Sequence, residues 1–445
     1  MMFTIYKDKY HTYQKEKANS KDDDIVYKKD NIDISFRKNE DDKEPSANEK
    51  EAYFKKLIRT EVSKIVDRQY DNILIMFGAG ASVVTTSNGI DENYGKTVAM
   101  LANEIYLKFK SANKKSLEEI CHDIKYLSND LILTEDKGNI IVDSLEGSTS
   151  ISNSKLPSFN LENFISQLET FISVNGDVEK EYKSYLNEIK DMIVEKVKYK
   201  YEIGRGPFNH SSILNIFNKH IKNGNKLCVV TTNYDTVIED EASYMNYTVI
   251  DGFEFSRKPS FNDDLFDWNF VKRVPNLNTN ELIYKDKVID LFKIHGSVNW
   301  YLETDDKSNG IIVLEDSYHG KNDSRYPIMI FPSSNKYMKS YQDPYFELMS
   351  RFQEKLKLPN TLLVTIGFSF ADNHISQMIT QALKRNDSLS CLVTDHNIDH
   401  TKDNKNWTEL ENIMNKNGTV SFLGVDLNNQ ENNLVMYLDG EVNED

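Results

Sequence analysis

Four apolar runs of this sequence each end in residues that could bind a nucleotide or transfer a proton. The residues that follow the runs lie at positions 78–82, 232–235, 295–297 and 367–374. Glycine lets a ligand approach the backbone closely, and free backbone N–H groups in a following turn suit a phosphate. Asparagine and aspartate can position a reactant, and histidine can accept or donate a proton near neutral pH. These residue types predict a nucleotide site with acid–base chemistry.

The first segment reads Gly-Ala-Gly-Ala-Ser and directly follows the apolar run at 73–77. An apolar run of this length predicts a buried parallel strand. The segment lacks the third glycine of the G-x-G-x-x-G pattern, so an ordinary turn is the alternative to a phosphate site. We predict that it holds the diphosphate of a dinucleotide, through Gly78, Ala79, Gly80, Ala81 and Ser82.

The second segment places Thr232, Asn233 and Asp235 directly after a predicted strand at 226–231. In an open parallel sheet, ligands bind in the crevice outside the carboxyl ends of the strands. We therefore expect these three side chains to face the same crevice as the glycines of the first segment. A turn residue is the alternative for Asn233, and a helix cap is the alternative for Asp235.

The third segment begins at His295, which ends an apolar run at 288–294 and precedes Gly296. A histidine at a strand end is exposed to the crevice, and its ordinary pKa of about 6.5 suits a general acid or base. We predict that His295 is catalytic and that Gly296 lies against the nucleotide. A structural hydrogen bond is the alternative for the histidine.

The fourth segment follows the apolar run at 361–366 and contains Gly367, Ser369 and Asp372. The glycine and the serine suit close approach to a ribose or a phosphate. Asp372 is a candidate contact of the same nucleotide, although capping of the helix that continues to residue 384 is its stronger interpretation.

The predicted strands alternate with predicted helices along the chain. The strands lie at 73–77, 226–231, 288–294, 361–366, 389–394 and 419–425. This alternation is typical of a doubly wound sheet. We predict an α/β fold with a Rossmann-like, mostly parallel sheet.

The domain organisation follows from changes in composition. Residues 1–50 alternate lysine with acidic residues, which predicts a flexible charged arm, and residues 51–427 form the nucleotide-binding domain. Helical periodicity at 111–203 predicts a helical insertion, and residues 428–445 read as an acidic tail. Within that tail, 434–438 is a candidate for a short edge strand.

The composition favours a globular protein of the cytoplasm. A net charge of −16 over 445 residues opposes attraction to a phosphate backbone, so we expect no direct nucleic-acid binding. Cys121, Cys228 and Cys391 are too far apart for a C-x-x-C zinc site or a disulfide framework, which indicates a reducing compartment. No apolar run approaches the roughly 20 residues that span a bilayer.

In their order along the chain, the four segments resemble those of the silent information regulator 2 (sirtuin) superfamily, over roughly residues 73–394. Residues 251–253, 293–301 and 331–337 more closely resemble the sirtuin-like effectors of bacterial antiphage systems, above all the one encoded beside the ATPase HerA. The resemblance implies cleavage of NAD without a metal, in abortive infection. It also implies a HerA-type ATPase as partner, in a complex of several copies of each chain.

The resemblance further implies a role for each catalytic candidate when the bond between nicotinamide and ribose is cleaved. Asn233 would orient the attacking water, His295 would be the general base, and Asp235 would orient the ribose or Asn233. Residues 78–82 would hold the diphosphate, and Gly367 and Ser369 would lie on the adenosine side.

The sequence departs from the deacylating sirtuins in two places. It has no paired C-x-x-C motifs, and the stretch between Ser82 and Gly95 has no Pro-Asp-Phe-Arg tetrad. Hydrolysis of NAD by water is therefore favoured over peptide deacylation. A sensor that binds NAD or ADP-ribose without turnover, and a deacylase or ADP-ribosyltransferase, are the alternatives.

Overall fold

The computed structural model describes residues 2–17, 25–37, 44–111, 114–136, 139–144, 159–175, 179–257, 259–273, 282–303, 311–314, 327–329, 344–399 and 404–438. The sequence segment 331–337 and the serine-rich loop at 145–158 lie outside these residues.

The strands in the described part of the chain are β1 (Met2–Lys7), β2 (Thr12–Lys17), β3 (Ile25–Lys29), β4 (Ile32–Asp33), β5 (Asn72–Phe77), β6 (Val84–Thr86), β7 (Gly89–Ile90), β8 (Leu131–Asp136), β9 (Asn139–Ser144), β10 (Leu227–Thr231), β11 (Thr248–Ile250), β12 (Val271–Arg273), β13 (Leu282–Tyr284), β14 (Val288–Lys293), β15 (Gly296–Glu303), β16 (Ile311–Leu314), β17 (Pro327–Met329), β18 (Thr361–Ile366), β19 (Leu389–Asp395), β20 (Val420–Gly424) and β21 (Asn428–Asn429).

The helices in the same residues are α1 (Ala47–Val66), α2 (Val98–Ser111), α3 (Leu117–Asp123), α4 (Leu161–Val174), α5 (Glu179–Val197), α6 (His210–Asn218), α7 (Val237–Tyr244), α8 (Tyr345–Lys357), α9 (Asn373–Arg385), α10 (Lys405–Asn417) and α11 (Val435–Leu438).

Eleven of the described strands form one sheet, in the order β11-β14-β10-β5-β18-β19-β20-β1-β2-β3-β4. The strands from β11 to β20 are parallel, and β1 to β4 add antiparallel strands at the β20 edge. The predicted α/β, Rossmann-like, mostly parallel fold is confirmed. The strands that carry the four segments, β14, β10, β5 and β18, are neighbours.

Both faces of the parallel sheet are buried, which explains why its strands are continuous apolar runs rather than alternating ones. In β5, Leu74 and Met76 face a core shared with α8, α9 and α10, whereas Ile73, Ile75 and Phe77 face a core shared with α1, α6 and α7. The sheet therefore lies between two helical layers, and its strand ends form the edge at which a site can open.

A separate helical module, defined here as α2 to α5 with the β8–β9 hairpin, has its own hydrophobic core. Leu101, Ile105 and Phe109 of α2 belong to this core, so the insertion begins at about residue 98 and not at 111. Apolar periodicity in α2 shows that one face of the helix is buried, but it does not show that the module core, rather than the sheet, covers that face.

The N-terminal residues differ from the predicted flexible arm. Strands β1 to β4 extend the main sheet, and Tyr6, Tyr13 and Tyr27 are at most 4% exposed in the core beneath α1. The rings of Tyr27 and Phe54 lie 4.9 Å apart, centroid to centroid. Each of β1, β2 and β3 contributes one buried tyrosine to this core, and the mixture of apolar and charged residues in these strands gives a weak alternating pattern in the sequence.

The C-terminal residues also differ from the predicted tail. Asn428 is 1% exposed, β21 pairs with β6, and the segment proposed as an edge strand is the short helix α11, which packs on α1 through the same core. The described part of residues 428–445 is therefore integral to the fold. No helix in the described residues is long and apolar enough to cross a membrane.

Tyr13 provides a test of the N-terminal correction. Its ring lies 6.1 Å from those of Tyr6 and Phe54, and its hydroxyl donates to Glu61 Oε1 at 3.3 Å. Tyr13→Ala should lower the free energy of unfolding by about 3 kcal/mol, because it removes a buried aromatic ring. The matched control, Tyr10→Ala, removes a side chain that is 73% exposed. If the two variants unfold at the same urea concentration, the prediction of a flexible arm would be correct after all.

Candidate functional site

The candidate site lies at the carboxyl ends of four adjacent strands. Thr231 pairs with both Lys293 of β14 and Phe77 of β5, and Phe77 pairs with Ile366 of β18. Asn233 and His295 each lie two residues beyond their paired strand residues, so they reach the same level of the crevice edge. The expected convergence of the four segments is present in the fold.

A chain of hydrogen bonds joins the first two segments. Asn233 Nδ2 donates to the carbonyl oxygen of Gly78 at 3.0 Å and to Ser82 Oγ at 3.0 Å. Ser82 Oγ in turn donates to Asp235 Oδ2 at 2.8 Å. All three side chains are buried. These contacts engage the amide nitrogen of Asn233 and fix the orientation of its carboxamide.

The same contacts change the interpretation of Ser82 and Asp235. The Ser82 hydroxyl, predicted to contact a diphosphate, is engaged between Asn233 and Asp235 at 2% exposure. Asp235 Oδ1 also accepts from the backbone N–H of Val237 at 3.2 Å, next to the start of α7. Asp235 is thus linked to Asn233 through the serine, and its role in orienting Asn233 stays a prediction.

A buried lysine lies beneath this chain. Lys293 is 1% exposed, and its Nζ donates to the carbonyl oxygen of Asp235 and to Glu239 Oε1, the latter at 2.7 Å. Burial raises the pKa of the Asp235 carboxyl, and the Lys293 ammonium opposes that rise. Burial likewise raises the pKa of Asp251, in the loop after β11, to about 6. The turn that carries Asn233 is therefore held by charges enclosed in the fold.

The glycines of the first and fourth segments face each other. A Cβ atom on Gly78 would lie 2.6 Å from the carbonyl oxygen of Gly367, and one on Gly80 would lie 2.9 Å from the Gly367 Cα. Gly80 N donates to the Gly367 carbonyl oxygen at 2.9 Å, and Gly367 has a φ of +60°. These glycines let two loops touch. Of the first segment, Ala79 is exposed and Gly80 is half-buried.

The local structure explains why residue 296 is a glycine. Its φ is +86°, and a Cβ atom there would lie 2.2 Å from the carbonyl oxygen of Ile328 in β17. The pairing of β15 with β17, rather than an open nucleotide surface, accounts for this glycine. Thr232 is half-buried, and its backbone N–H donates to the Phe77 carbonyl oxygen at 3.2 Å.

The loop that carries Ser369 is anchored by residues that the sequence did not single out. Trp407 Nε1 and Asn404 Nδ2 donate to the Ser369 carbonyl oxygen at 2.9 and 3.0 Å, and Asn406 Nδ2 donates to the Phe370 carbonyl oxygen at 2.8 Å. The Ser369 residue itself is exposed at the strand-end edge. Its predicted contact with the nucleotide therefore has open space.

Asp372 joins the fourth segment to His295. Its Oδ1 accepts from the backbone N–H groups of His374 at 2.9 Å and Ile375 at 3.2 Å, so it caps α9. Its Oδ2 lies 3.4 Å from His295 Nε2, and both side chains are at most 10% exposed. The capping interpretation is correct, and the second oxygen brings a carboxylate to the candidate base.

Two further groups at the strand-end edge were missed. Asn428 Nδ2 donates to the carbonyl oxygens of Ala81 at 2.7 Å and Val83 at 3.1 Å, which holds the glycine loop from behind. Asp395 ends β19, is 7% exposed, and lies 2.7 Å from His396 Nδ1. Asp395 could have been found from the sequence, because it is a polar residue directly after a predicted buried strand. Asn428 lies among other polar residues, so the sequence carries no signal that distinguishes it.

The helical module reaches the site through Tyr234. This side chain packs against the module core, as does Val298, whose backbone N–H donates to the Tyr234 carbonyl oxygen at 3.0 Å. The module therefore covers the turn between Asn233 and Asp235 from one side. In the described residues, no group of three or more His, Cys, Asp or Glu side chains is arranged to hold a metal ion.

The contribution of the buried Lys293 ammonium to stability can be tested by substitution. Lys293→Met should lower the free energy of unfolding by about 3 kcal/mol, because it leaves Glu239 and the Asp235 carbonyl without the ammonium. Lys222→Met is the matched control, since that side chain is 69% exposed and its ion pair with Asp71 should contribute little. Chemical denaturation measures both variants. Equal stability of the two would contradict a supporting role for Lys293.

One comparison with known proteins found a family that matches part of this chain. Residues 227–416 match the family model of the SIR2-like domain. The matched span contains Asn233, Asp235, His295 and Asp372, and the glycine segment at 78–82 precedes it. No curated protein is similar enough to the chain to count as a match. The family match supports placing the chain in the sirtuin-like superfamily, whose SIR2-like members use NAD.

Proposed function

We propose that this protein is an NAD glycohydrolase, which converts NAD and water to nicotinamide, ADP-ribose and a proton. The observation that carries the proposal is the convergence of Asn233 and His295 at the same level of two adjacent strand ends, within the span that matches the SIR2-like family. NAD is the substrate. The nicotinamide carries a positive charge before cleavage, so it leaves as a neutral molecule without protonation.

The proposed reaction breaks the bond between the nicotinamide nitrogen and the ribose, through a transition state with oxocarbenium character. The Asn233 carboxamide oxygen accepts a hydrogen bond from the attacking water, whose oxygen forms the new bond to the anomeric carbon. His295 takes the proton of that water. The electron pair of the broken bond stays on the nicotinamide nitrogen, which balances the step.

Positioning is the main contribution of the protein in this proposal. The Asn233 amide is held by Gly78 and Ser82, and Ser82 is held by Asp235. A fixed nucleophile position removes the entropy cost of orienting a water in the transition state. Exposed Ala79, half-buried Gly80 and exposed Ser369 are the parts of the two loops that remain for the diphosphate and adenosine sides.

A deacylase is the less favoured alternative. The zinc module of deacylating sirtuins uses paired C-x-x-C motifs, and the cysteines here lie far apart, at 121, 228 and 391. The helical module also stands where a peptide-binding small domain would be needed, and it packs on Tyr234 beside the candidate water-orienting residue. A sensor that binds NAD without turnover would use the same binding residues. Measurement of nicotinamide release distinguishes it from a hydrolase, because a sensor releases none.

We further propose that the protein is the effector of an antiphage system and that a HerA-type ATPase controls it. Uncontrolled hydrolysis of NAD in the cytoplasm would deplete the host cell, so the activity needs a signal. In the described residues, the large hydrophobic clusters are those on the two faces of the main sheet and that of the helical module, which favours a sensor on another chain. A net charge of −16 suits a basic face on that partner.

The catalytic assignment predicts the effect of two substitutions. His295→Ala should lower kcat by roughly 10²- to 10⁴-fold, the usual contribution of a general base, and Asn233→Ala should lower it at least as far. Release of nicotinamide is followed by chromatography, and circular dichroism confirms the fold. The matched controls are His11→Ala, in the turn between β1 and β2, and Asn223→Ala, an exposed residue that precedes β10 at the opposite end of that strand from Asn233. Full activity of either folded site variant would remove its assignment.

The proposed assembly predicts a change in size. When the chain is produced together with a HerA-type ATPase, native mass spectrometry should find a complex that contains several copies of each. The nicotinamide release rate should then depend on the ATPase. A chain that stays monomeric and equally active with and without the ATPase, at every concentration tested, would contradict this part of the proposal and leave the hydrolysis untouched.

A further inference from the structure

The pair formed by His295 and Asp372 spans the width of the site. His295 follows β14 and Asp372 follows β18, with β10 and β5 lying between these strands in the sheet. The Nε2 and Oδ2 atoms nevertheless lie 3.4 Å apart, with side-chain exposures of 8% and 10%. Two buried residues can meet across two intervening strands only if the fold holds both of them in place. The contact between His295 and Asp372 is therefore a feature of the folded structure.

Helix capping alone does not account for an aspartate at this position. The cap of α9 uses Oδ1, which accepts from the His374 and Ile375 N–H groups. Asparagine, serine and threonine cap helices about as well as aspartate. Capping through Oδ1 therefore requires neither the negative charge nor the second oxygen, and that second oxygen lies 3.4 Å from His295 Nε2.

The position of Asp372 is itself determined by the loop before it. Phe370 has a φ of +54° and is fully buried, and its carbonyl oxygen accepts from Asn406 Nδ2 at 2.8 Å and Ser376 Oγ at 3.1 Å. Trp407 Nε1 holds the neighbouring Ser369 carbonyl at 2.9 Å. These contacts fix the backbone immediately before the carboxylate.

We propose that Asp372 is a positioning residue, which holds the His295 ring with its Nε2–H toward the carboxylate. The other ring nitrogen, Nδ1, then keeps the lone pair and accepts the proton of the attacking water. A carboxylate beside an imidazole nitrogen fixes the tautomer and stabilises the protonated ring in this way. The catalytic part of this inference rests on the proposed hydrolysis of NAD, whereas the tautomer does not.

Asp372→Asn separates the two roles of the residue. Asparagine keeps the cap oxygen and loses the charge, so the fold and the KM for NAD should stay close to those of the wild type, and kcat should fall by about tenfold or more. Ser116→Ala is the matched control, since Ser116 caps α3 in the helical module through the N–H of Glu119 at 3.2 Å. It should lower stability and leave kcat unchanged.

A double-variant cycle tests whether Asp372 acts through the histidine. If it does, His295→Gln with Asp372→Asn should have the same kcat as His295→Gln alone, because the aspartate has no base left to position. An additional loss of the same size as in the single Asp372→Asn variant would overturn the proposal. An Asp372→Asn variant with wild-type kcat would overturn it as well.

The tautomer is read directly by nitrogen NMR of histidine-labelled protein, with His295 assigned from the His295→Gln spectrum. The wild type should show the Nε2–H form at His295, and Asp372→Asn should change the Nδ1 and Nε2 resonances of that ring. Unchanged resonances would overturn the pairing. A wild-type protein that releases no nicotinamide but shows the Nε2–H form would refute the proposed function and retain the pairing.

Discussion

The contact between two glycine-containing loops is the constraint on which the rest of the site depends. The loops after β5 and β18 touch at Gly80 and Gly367. The backbone N–H of Gly80 donates a hydrogen bond to the Gly367 carbonyl oxygen at 2.9 Å, and neither residue has room for a Cβ atom. This contact holds Ser82 where it can bridge Asn233 and Asp235. The glycines that suggest a phosphate-binding loop are thus also the residues that let the two loops pack together at the carboxyl ends of the strands.

Enclosed charge is the second feature that organises the site. Lys293 lies on the β14 strand two residues before His295, and it holds both the carbonyl of Asp235 and the carboxylate of Glu239. An unpaired charge in this position would be strongly destabilising, so the lysine and its partners constrain one another. Ser82, Asp235 and Lys293 are therefore paired within the fold before any ligand arrives, as a preorganised site requires.

The sequence predicted the parallel strands and their polar ends because continuous apolar runs followed by Gly, Asn or His are local signals. It did not predict which atoms those ends would meet. The role of Gly296 depends on β17, and the role of Asn428 depends on a loop almost 350 residues earlier in the chain. The N-terminal hairpins were missed for a similar reason, since β1, β2 and β3 each bury one tyrosine in the core with α1 and each also carry lysine. Tertiary partners, rather than local propensity, decided these cases.

The most direct test of the account is the fate of solvent oxygen when the purified protein is incubated with NAD in water enriched in oxygen-18. Hydrolysis at the site of Asn233 and His295 predicts nicotinamide together with ADP-ribose that carries one labelled oxygen at its anomeric carbon. Mass spectrometry of both the small molecules and the protein distinguishes the alternatives. Nicotinamide without labelled ADP-ribose, ADP-ribose attached to a protein, or bound NAD that is never cleaved would each contradict the account.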